Sequence, residues 1–405
     1  MGGVVIVGAG QAGASLAIKL RASGYEGKLT LIGNEAMPPY QRPPLSKSYL
    51  LGTMAPDRLL LRPEGFYAEQ GIELRLGAPA EGIDRAAKTI RVEGEALPYG
   101  QLALATGAVP RALPEAIGGG LAGVHTVRTI ADIDAMAPEF VPGRRVLIVG
   151  GGYIGLEAAA VAAKLGLAVT LIEAAPRILQ RVAAPETSAY FRDLHARHGV
   201  TILEGVGLDH LSGSPSVRMA RLADGREIAV DFVIVGIGVV PATGLAEEAG
   251  LRVENGIWTD EFGRTSDDSI WAAGDCASFP IGQGRLRLES VGHAIDHAES
   301  TARNMLGAGA PYVAKPWFWS DQYDTKLQIA GLNVGYDRTI VREGKGDARS
   351  VWYFAGDRLL ALDAMNDPRA YMVGKRIIDA GRTLLPELVA DGGRDIKDLL
   401  SLQQE

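Results

Sequence analysis

The chain has 405 residues, of which 47% are hydrophobic and 22% are charged, and its formal net charge is -7 at pH 7. This length exceeds that of one ordinary domain, so we expect two or three domains. The acidic balance disfavours nucleic-acid binding, which depends on clustered Lys and Arg, and no apolar run approaches the roughly 20 residues that span a membrane. We therefore expect a globular protein that binds neither nucleic acid nor a membrane.

The single cysteine, Cys276, limits the redox chemistry that side chains can perform. One thiol forms neither an intramolecular disulfide nor a redox dithiol, and it cannot build a cysteine metal cage. Redox chemistry must therefore use a bound cofactor; we expect no metal site, and we expect Cys276 to be a small buried residue. The amino terminus passes directly into a strand-like segment without the features of a secretory signal, which predicts a cytoplasmic location.

The first predicted element is an apolar strand, residues 4–7, that runs into the pattern G-x-G-x-x-G at residues 8–13. A helical pattern, a break and a second strand at residues 28–32 follow, and Glu35 comes just after them. This is a βαβ unit. The pyrophosphate of a dinucleotide binds the amide groups at such a helix start, and a carboxylate about 20 residues later binds ribose hydroxyls.

The same pattern occurs a second time in the middle of the chain. An apolar strand at residues 146–149 enters G-x-G-x-x-G at residues 150–155, and a second strand at residues 168–172 ends at Glu173. A carboxylate here repels a 2′-phosphate, so Glu173 favours NADH over NADPH. One glycine pattern is weak evidence, but two copies in the correct context predict two dinucleotide sites.

Further segments complete these units. Apolar strands that end in glycine occupy residues 102–108 and 232–238, and residues 269–276 form another strand that ends in glycine and a carboxylate. From about residue 311 the pattern changes to a mixture of strand-like and helix-like segments, which is typical of an α+β domain.

Two other segments are more specific. Pro39–Lys47 reads P-Y-Q-R-P-P-L-S-K, and Pro316–Gln322 reads P-W-F-W-S-D-Q. With the two glycine patterns, they resemble the Y-x-R-P-x-L-S-K and W-F-W-S-D-Q motifs of the oxygenase-coupled ferredoxin reductases. This branch of the pyridine nucleotide-disulfide reductase superfamily includes putidaredoxin reductase and biphenyl dioxygenase ferredoxin reductase, and the resemblance covers essentially the whole chain.

The resemblance implies an α/β fold with two Rossmann-like dinucleotide-binding domains of the three-layer ββα type and a C-terminal α+β domain. It places the FAD-binding domain in residues 1–110 and 242–312. The NAD-binding domain is expected in residues 111–241, and the C-terminal interface domain in residues 313–405.

The resemblance also implies which residues bind the two cofactors. The residues expected at FAD are Gly8, Gly10, Gly13, Glu35, Arg42, Lys47, Ala105, Thr106, Gly107, Asp275, Val291 and Trp319. The residues expected at NAD are Gly150, Gly152, Tyr153, Ile154, Gly155, Glu157, Glu173, Gly236, Ile237 and Gly238.

Three of these residues are expected to take part in the chemistry. A cation at Lys47 would stabilise the negative charge of reduced flavin, although a solvated position in a Pro-rich turn is the alternative. Glu157 is expected on the first turn of the helix that follows the second glycine pattern, near the nicotinamide carboxamide; an acid there also has a purely structural explanation. Trp319 is expected at the flavin or on the route to the acceptor, with a core position as the alternative.

One segment departs from the family. Relatives commonly carry E-S-V-Q-N-A where this chain has E-S-V-G-H-A at Glu289–Ala294. A histidine can titrate near neutral pH, but we expect His293 to be a structural residue with satisfied hydrogen bonds.

By resemblance, the chain is expected to be an NADH-dependent flavoprotein that passes electrons singly to a [2Fe-2S] ferredoxin. That ferredoxin would serve an oxygenase, either a cytochrome P450 or a ring-hydroxylating dioxygenase. The missing cysteine pair argues against disulfide reduction, and Pro43-Pro44 stands where some relatives carry a reactive cysteine. Two alternatives stay open: a rubredoxin reductase or NADH oxidase, and a signalling flavoprotein resembling apoptosis-inducing factor.

Overall fold

The computed structural model describes residues 2–402, and these form two compact units. The first unit contains the chain up to Arg42, Ala55–Val109 and Val239–Ala314. The second contains Pro43–Met54, Pro110–Gly238 and the chain from Lys315 onward. The second unit thus includes the short segment Pro43–Met54 together with most of the sequence assigned to the NAD-binding and C-terminal domains, whose exact bounds stay a prediction.

Strands form most of the regular structure. In chain order they are β1 (Gly3–Val7), β2 (Leu29–Ile32), β3 (Ile72–Arg75), β4 (Ala80–Asp84), β5 (Thr89–Val92), β6 (Glu95–Leu104), β7 (Ala108–Pro110), β8 (Val124–Thr126), β9 (Arg145–Val149), β10 (Ala168–Glu173), β11 (Thr201–Glu204), β12 (Leu208–Gly213), β13 (Val217–Leu222), β14 (Glu227–Ala229), β15 (Phe232–Val235), β16 (Val239–Pro241), β17 (Ile257–Trp258), β18 (Ile270–Ala272), β19 (Ala277–Ile281), β20 (Gly284–Leu286), β21 (Trp317–Gln322), β22 (Thr325–Gly331), β23 (Arg338–Glu343), β24 (Arg349–Ala355) and β25 (Arg358–Met365).

Helices connect and cover these strands. The α-helices are α1 (Gln11–Ala22), α2 (Glu64–Glu69), α3 (Ile130–Met136), α4 (Tyr153–Lys164), α5 (Pro185–Arg197), α6 (Gly244–Glu248), α7 (Val291–Met305), α8 (Pro368–Asp379) and α9 (Pro386–Ala390). Short 3₁₀ helices occupy Pro56–Leu59, Glu115–Ile117, Ala137–Glu139 and Ile396–Ser401, and Leu45–Tyr49 is a π-helical turn. Within residues 2–402, no helix has both the length and the apolar composition that crossing a membrane requires.

The first unit is built on a parallel sheet in the order β3-β2-β1-β6-β18, which β5 and β4 extend in antiparallel fashion from β6. Successive side chains of β1 enter different clusters. Val4 and Ile6 pack with residues of α1 and α7, whereas Val5 and Val7 pack with residues such as Ala246 of α6. The central strand is therefore buried on both faces, which explains its continuous apolar sequence.

The second unit contains a parallel sheet in the order β11-β10-β9-β15-β8 and a smaller antiparallel sheet, β12-β13-β14. Its remaining sheet, β21-β22-β25-β24-β23, is antiparallel and packs against α8. The predicted fold class, with two Rossmann-like regions and a C-terminal α+β region, is confirmed.

A buried carboxyl group joins the C-terminal sheet to α5. The Thr187 hydroxyl of α5 donates a hydrogen bond of 2.7 Å to Oδ2 of Asp363 on β25, and the Tyr353 hydroxyl of β24 donates to the same oxygen. Burial raises the pKa of Asp363 to about 6, although both hydroxyls act in the opposite direction. The ionised form is therefore disfavoured in the folded protein.

This shift predicts a specific pH dependence of stability. The folded state binds the Asp363 proton more tightly than the unfolded state does, so stability is lost as the pH rises from the ordinary value of 3.8 through about 6. Asp363→Asn lacks this titration. Across this window, we expect the free energy of unfolding of the wild type to fall by about 3 kcal/mol relative to that of Asp363→Asn. The Tm of the wild type should fall accordingly.

Thermal denaturation of both proteins between about pH 3 and 7 checks the prediction, because this range brackets the pKa values of the unfolded and folded states. The exposed Asp357 provides the control, because Asp357→Asn should leave the pH dependence of the wild type unchanged. A constant Tm difference between wild type and Asp363→Asn at every pH would contradict the assignment.

Candidate functional site

The first glycine turn follows β1 and shows why its glycines are needed. Gly8 has a φ of +111°, and a β-carbon there would lie 2.1 Å from the Ala105 carbonyl oxygen. A β-carbon on Gly13 would lie 1.9 Å from the Gly8 carbonyl oxygen, whereas one on Gly10 would meet no atom within 4 Å. Gly8 and Gly13 are therefore fixed by packing, and the face of Gly10 is open to a ligand.

The second glycine turn, after β9, repeats this geometry. Gly150 has a φ of +109°, and its β-carbon would lie 2.4 Å from the Gly236 carbonyl oxygen. A β-carbon on Gly155 would lie 2.1 Å from the Gly150 carbonyl oxygen, and one on Gly152 would again meet no atom within 4 Å. In both turns, therefore, the first and last glycines pack against backbone atoms, and the middle glycine faces open space.

Both turns lead directly into a helix that can receive an anion. Gly10 is the N-cap of α1 and Gly152 is the N-cap of α4, and neither first turn contains an acidic residue. Since glycine has no side chain to cap the first amide groups, these amides can bind a pyrophosphate. Each turn fits the pyrophosphate of one dinucleotide.

The two predicted ribose-binding carboxylates are both held in place. Glu35 accepts hydrogen bonds from the Tyr40 hydroxyl at 2.5 Å and from the Arg42 guanidinium at 2.6 Å. Glu173, the last residue of β10, accepts from the backbone amides of Gly151 and Ala175, each at 2.7 Å. Arg42 forms an ion pair with Glu35, and its contact with FAD stays a prediction.

The other residues predicted for FAD in the first unit converge on one edge of its sheet. Ala105 follows β6 and donates its amide hydrogen to the Val7 carbonyl oxygen at 2.7 Å. Asp275 follows β18, the strand beside β6, and Val291 is the first residue of α7. Carboxyl ends of parallel strands are where such folds bind ligands. Thr106 and Gly107 continue the chain after Ala105, and the Thr106 hydroxyl donates to the Ala242 carbonyl oxygen at 2.6 Å.

The residues predicted for NAD in the second unit also come together. Gly236 lies against Gly155, since a β-carbon on Gly236 would be 3.5 Å from the Gly155 Cα. Ile154 and Ile237 are large apolar side chains that stay 41% and 38% exposed. Exposed apolar side chains beside a glycine turn are suited to contact a flat ring. Gly238 continues this strand end with a φ of +99°.

Tyr153 is the first residue of α4, inside the second glycine turn. Its ring tilts against that of Phe318 with the centroids 4.8 Å apart. The hydroxyl is buried and has no hydrogen-bond partner within residues 2–402, and burial raises the pKa of this phenol well above its ordinary value. The contact of Tyr153 with NAD stays a prediction.

Glu157 and Lys47 form a buried ion pair in the second unit. The Lys47 ammonium lies 2.9 Å from Glu157 Oε1, and the two side chains are only 16% and 6% exposed. Burial raises the pKa of Glu157 above its ordinary value, and the opposing effects of Lys47 and the hydrogen bonds offset this rise only in part. The alternative of a solvated Lys47 is wrong. The sequence-based placement of Glu157 on the first helical turn is also wrong: α4 begins at Tyr153, so Glu157 is its fifth residue.

Two serines complete the surroundings of this carboxylate, and the sequence analysis did not identify them. The Ser46 hydroxyl donates to Glu157 Oε2 at 2.8 Å, and the Ser320 hydroxyl donates to Oε1 at 2.7 Å. Both serines stand inside the motifs at residues 39–47 and 316–322. The signal available in the sequence was a polar serine directly after an apolar residue, Leu45 in one motif and Trp319 in the other.

Trp319 lies on β21 close to this ion pair. The Lys47 ammonium is 5.9 Å from the centroid of the Trp319 ring, and the Trp317 and Trp319 rings stack with centroids 5.5 Å apart. A cation over an indole face is stabilised by the ring quadrupole. The structure therefore brings together the three residues expected to take part in the chemistry.

Cys276 and His293 both lie in the interior of the first unit. Cys276 is fully buried and its pKa is raised by burial, which confirms it as a small buried residue. His293 is buried too, and its Nδ1 forms a 3.0 Å hydrogen bond with the Tyr312 hydroxyl. Its Nε2 has no partner within residues 2–402, so the expectation that its hydrogen bonds are satisfied is only half met.

Comparison with known proteins decides the family. Residues 2–298 match the model of the pyridine nucleotide-disulphide oxidoreductases, and residues 317–400 match that of the reductase C-terminal domain. The chain belongs to this oxidoreductase family. It is 44% identical to the ferredoxin reductase subunit of 5,5'-dehydrodivanillate O-demethylase from Sphingobium sp. (strain NBRC 103272 / SYK-6), with 98% of each chain covered.

Two further comparisons extend over the whole chain. Putidaredoxin reductase CamA of Pseudomonas putida is 40% identical, with 98% of this chain and 96% of the relative covered. The crystal structure of the covalent putidaredoxin reductase–putidaredoxin complex matches with a TM-score of 0.95, 40% identity and coverage of 99% of this chain and 98% of that one.

Membership explains the two matched glycine turns. The protein is an oxidoreductase whose cofactors are FAD and a nicotinamide dinucleotide. The family name refers to disulfide chemistry, but the one thiol of this chain is buried and has no second cysteine with which to pair. The reaction therefore uses the bound cofactors without a protein disulfide.

The matched glycines predict two distinct mutant phenotypes. Gly152→Ala adds a methyl group that touches no protein atom, so Tm should stay within a few degrees of wild type while NAD⁺ binding weakens about tenfold, equivalent to ~1.4 kcal/mol. Gly155→Ala places a methyl group against the Gly150 carbonyl oxygen and should lower Tm strongly or prevent folding.

Thermal denaturation and calorimetric titration with NAD⁺ distinguish these phenotypes. Gly10→Ala and Gly13→Ala form the matched pair in the first unit. Equal destabilisation by Gly152→Ala and Gly155→Ala would disprove the division into open and packed glycines.

Proposed function

We propose that the protein takes hydride from NADH through bound FAD and passes the electrons singly to a [2Fe-2S] ferredoxin that serves an oxygenase. The observation that carries this proposal is the presence of two matched dinucleotide turns in a chain without a redox dithiol. One turn is needed for the donor and one for the redox cofactor, and the electrons must then leave to an external acceptor. The full-length relatives named as ferredoxin reductases support ferredoxin as that acceptor.

The two cofactors are assigned to the two glycine turns in chain order, as the family resemblance implies. FAD is assigned to the turn at Gly8–Gly13 and the surrounding edge of the first unit, and NADH to the turn at Gly150–Gly155. When bound, the flavin supplies the conversion between two-electron and one-electron transfer. The same proposal includes a discontinuous FAD domain, a central NAD domain, a separate C-terminal domain and a cytoplasmic location.

The contribution of the protein is alignment and charge. The amides that follow Gly152 hold the NADH pyrophosphate, and the exposed side chains of Ile154 and Ile237 contact its apolar surface. Glu157 accepts a hydrogen bond from the carboxamide and so orients the nicotinamide ring, while Lys47 compensates the buried negative charge. Such positioning makes hydride transfer a step within one complex and so lowers its barrier.

Specificity for NADH is assigned to Glu173. Two backbone amides fix this carboxylate at the end of β10, so it cannot turn away from a 2′-phosphate. A phosphate brought beside it would meet a fixed like charge, which disfavours NADPH.

An anaerobic stopped-flow experiment tests the function. The purified flavoprotein is mixed with NADH, and [2Fe-2S] ferredoxins, rubredoxin and cytochrome c are then added in turn. We expect rapid flavin bleaching and cytochrome c reduction that depends on ferredoxin. Reoxidation by oxygen or rubredoxin alone would indicate the alternative enzyme, and slow turnover with every acceptor would favour a signalling flavoprotein. No bleaching by NADH would refute the donor site.

The role of Glu173 gives a second prediction. Glu173→Gln removes the charge while keeping the size of the side chain, so the ratio of kcat/KM for NADH to that for NADPH should fall about tenfold. Glu204, which pairs with Glu173 in register at the end of β11, provides the control. Glu204→Gln should leave the ratio unchanged, and an equal fall in both variants would show a nonspecific charge effect.

A further inference from the structure

Within the second unit, a continuous line of hydrogen bonds runs from Glu157 to Tyr323. The Ser320 hydroxyl donates to Glu157 Oε1 at 2.7 Å, and Gln322 Nε2 donates to the Ser320 oxygen at 3.2 Å. His195 Nε2 lies 2.8 Å from Gln322 Oε1, and the Tyr323 hydroxyl lies 3.2 Å from His195 Nδ1. The line therefore runs through four side chains before it reaches the carboxylate.

The donors along this line all point toward Glu157. Gln322 uses its NH₂ group toward Ser320, so its carbonyl oxygen faces His195 and can only accept. His195 must then carry its hydrogen on Nε2, which leaves Nδ1 to accept from the Tyr323 hydroxyl. A line of aligned donors that ends on a carboxylate stabilises the ionised form of that carboxylate.

The interior of the line is shielded from water. His195, Gln322 and Ser320 are each 0% exposed. Tyr323 is half-buried, and its ring stacks on the exposed His198 with the centroids 3.6 Å apart. Hydrogen bonds in such an enclosed place cannot be replaced by solvent, so each one determines the orientation of the next.

Proton transfer along the line is blocked at Gln322. The amide nitrogen has no accepting lone pair, so it cannot take a proton from Ser320 and return one from the other side. The line can therefore orient and polarise groups, but it cannot conduct protons.

We propose that His195 is a positioning residue, which through Gln322 and Ser320 holds the Glu157 carboxylate ionised and in one orientation toward the nicotinamide. The proposal rests on the proposed function, because it assumes that Glu157 orients NADH. It adds His195 of α5 and Ser320 and Gln322 of β21 to the residues that set the rate of hydride transfer.

Among residues 2–402, Lys47 is the charged group that acts most strongly on Glu157. Lys47 faces it from the Leu45–Tyr49 turn. The neighbouring strand β10 carries Glu173, whose oxygens are occupied by backbone amides, and β9 carries Arg145, which pairs with Asp231. A change in the pKa of Glu157 on removing His195 would therefore report on the hydrogen-bonded line.

The surroundings of His195 are similarly defined. His198 faces it from the end of α5 and Tyr323 from the end of β21, and burial lowers the pKa of His195 to about 4. Strand β11, which packs against α5, carries Glu204, and this residue pairs with Arg192. His195 thus stays neutral throughout the pH range of an ordinary assay.

The test measures the rate of flavin reduction by NADH as a function of pH. His195→Leu removes the donor to Gln322, so ionised Glu157 is less stabilised and its pKa rises. We expect the acid limb of the rate profile to move to higher pH by roughly half a unit, because His195 acts on Glu157 only through Gln322 and Ser320. His195→Gln retains an N–H group near the position of Nε2 and should restore most of the wild-type profile.

A double-mutant cycle with Glu157→Gln separates positioning from general damage. In the Glu157→Gln background no carboxylate remains for His195 to position. If His195 acts only through Glu157, adding His195→Leu should therefore change the rate of flavin reduction by less than about twofold. The control is His210→Gln, since His210 is exposed and bonded to Asp209, away from the line.

Two results would overturn the proposal. One is a uniform loss of rate in His195→Leu with an unmoved acid limb; the other is an equal effect of His195→Leu with and without Glu157. If His195→Leu does not fold, Gln322→Met replaces it, because a thioether of similar size cannot donate to Ser320 and adds no charge, and the same outcomes apply. A wild-type protein that NADH does not bleach would refute the proposed function, independently of these comparisons.

Discussion

The close approach of a helix to a strand at each glycine turn is the constraint on which the rest of the structure depends. Gly155 packs against the Gly150 carbonyl oxygen, so α4 must start within the turn and cannot be displaced along the sheet. This fixed start places Glu157 one turn from the open face of Gly152. The position of the carboxylate is therefore a consequence of a contact that only glycine permits.

The buried pair that results is costly in isolation. Removing two charges from water is compensated only when their geometry is good and their remaining lone pairs are bonded, and a pair of this kind is a weak argument for stability. Glu157 meets this requirement with an ammonium group and two hydroxyls, Lys47, Ser46 and Ser320. Since an apolar pair often folds as well as a buried ion pair, stability alone does not explain these charges.

The sequence allowed prediction of features that depend on local backbone geometry. The glycine turns, their following helices and the carboxylate at Glu173 obey spacings that a βαβ unit dictates, so they were predicted correctly. The helix start at Tyr153 and the partners of Glu157 were not. Ser320 and His195 reach the site through tertiary packing: Ser320 is 163 positions from Glu157, and His195 is 127 positions from Gln322. No spacing in the sequence connects such pairs.

The same long-range packing changes how the C-terminal region is understood. Its first strand, β21, contributes Ser320 to the carboxylate and Trp319 to the face beside Lys47, all within one compact unit. A region that only bound a partner protein would have no need to hydrogen-bond a buried acid of the dinucleotide-binding helix. The C-terminal strand therefore takes part in the hydrogen bonding of Glu157, so a change in its packing would alter the surroundings of this carboxylate.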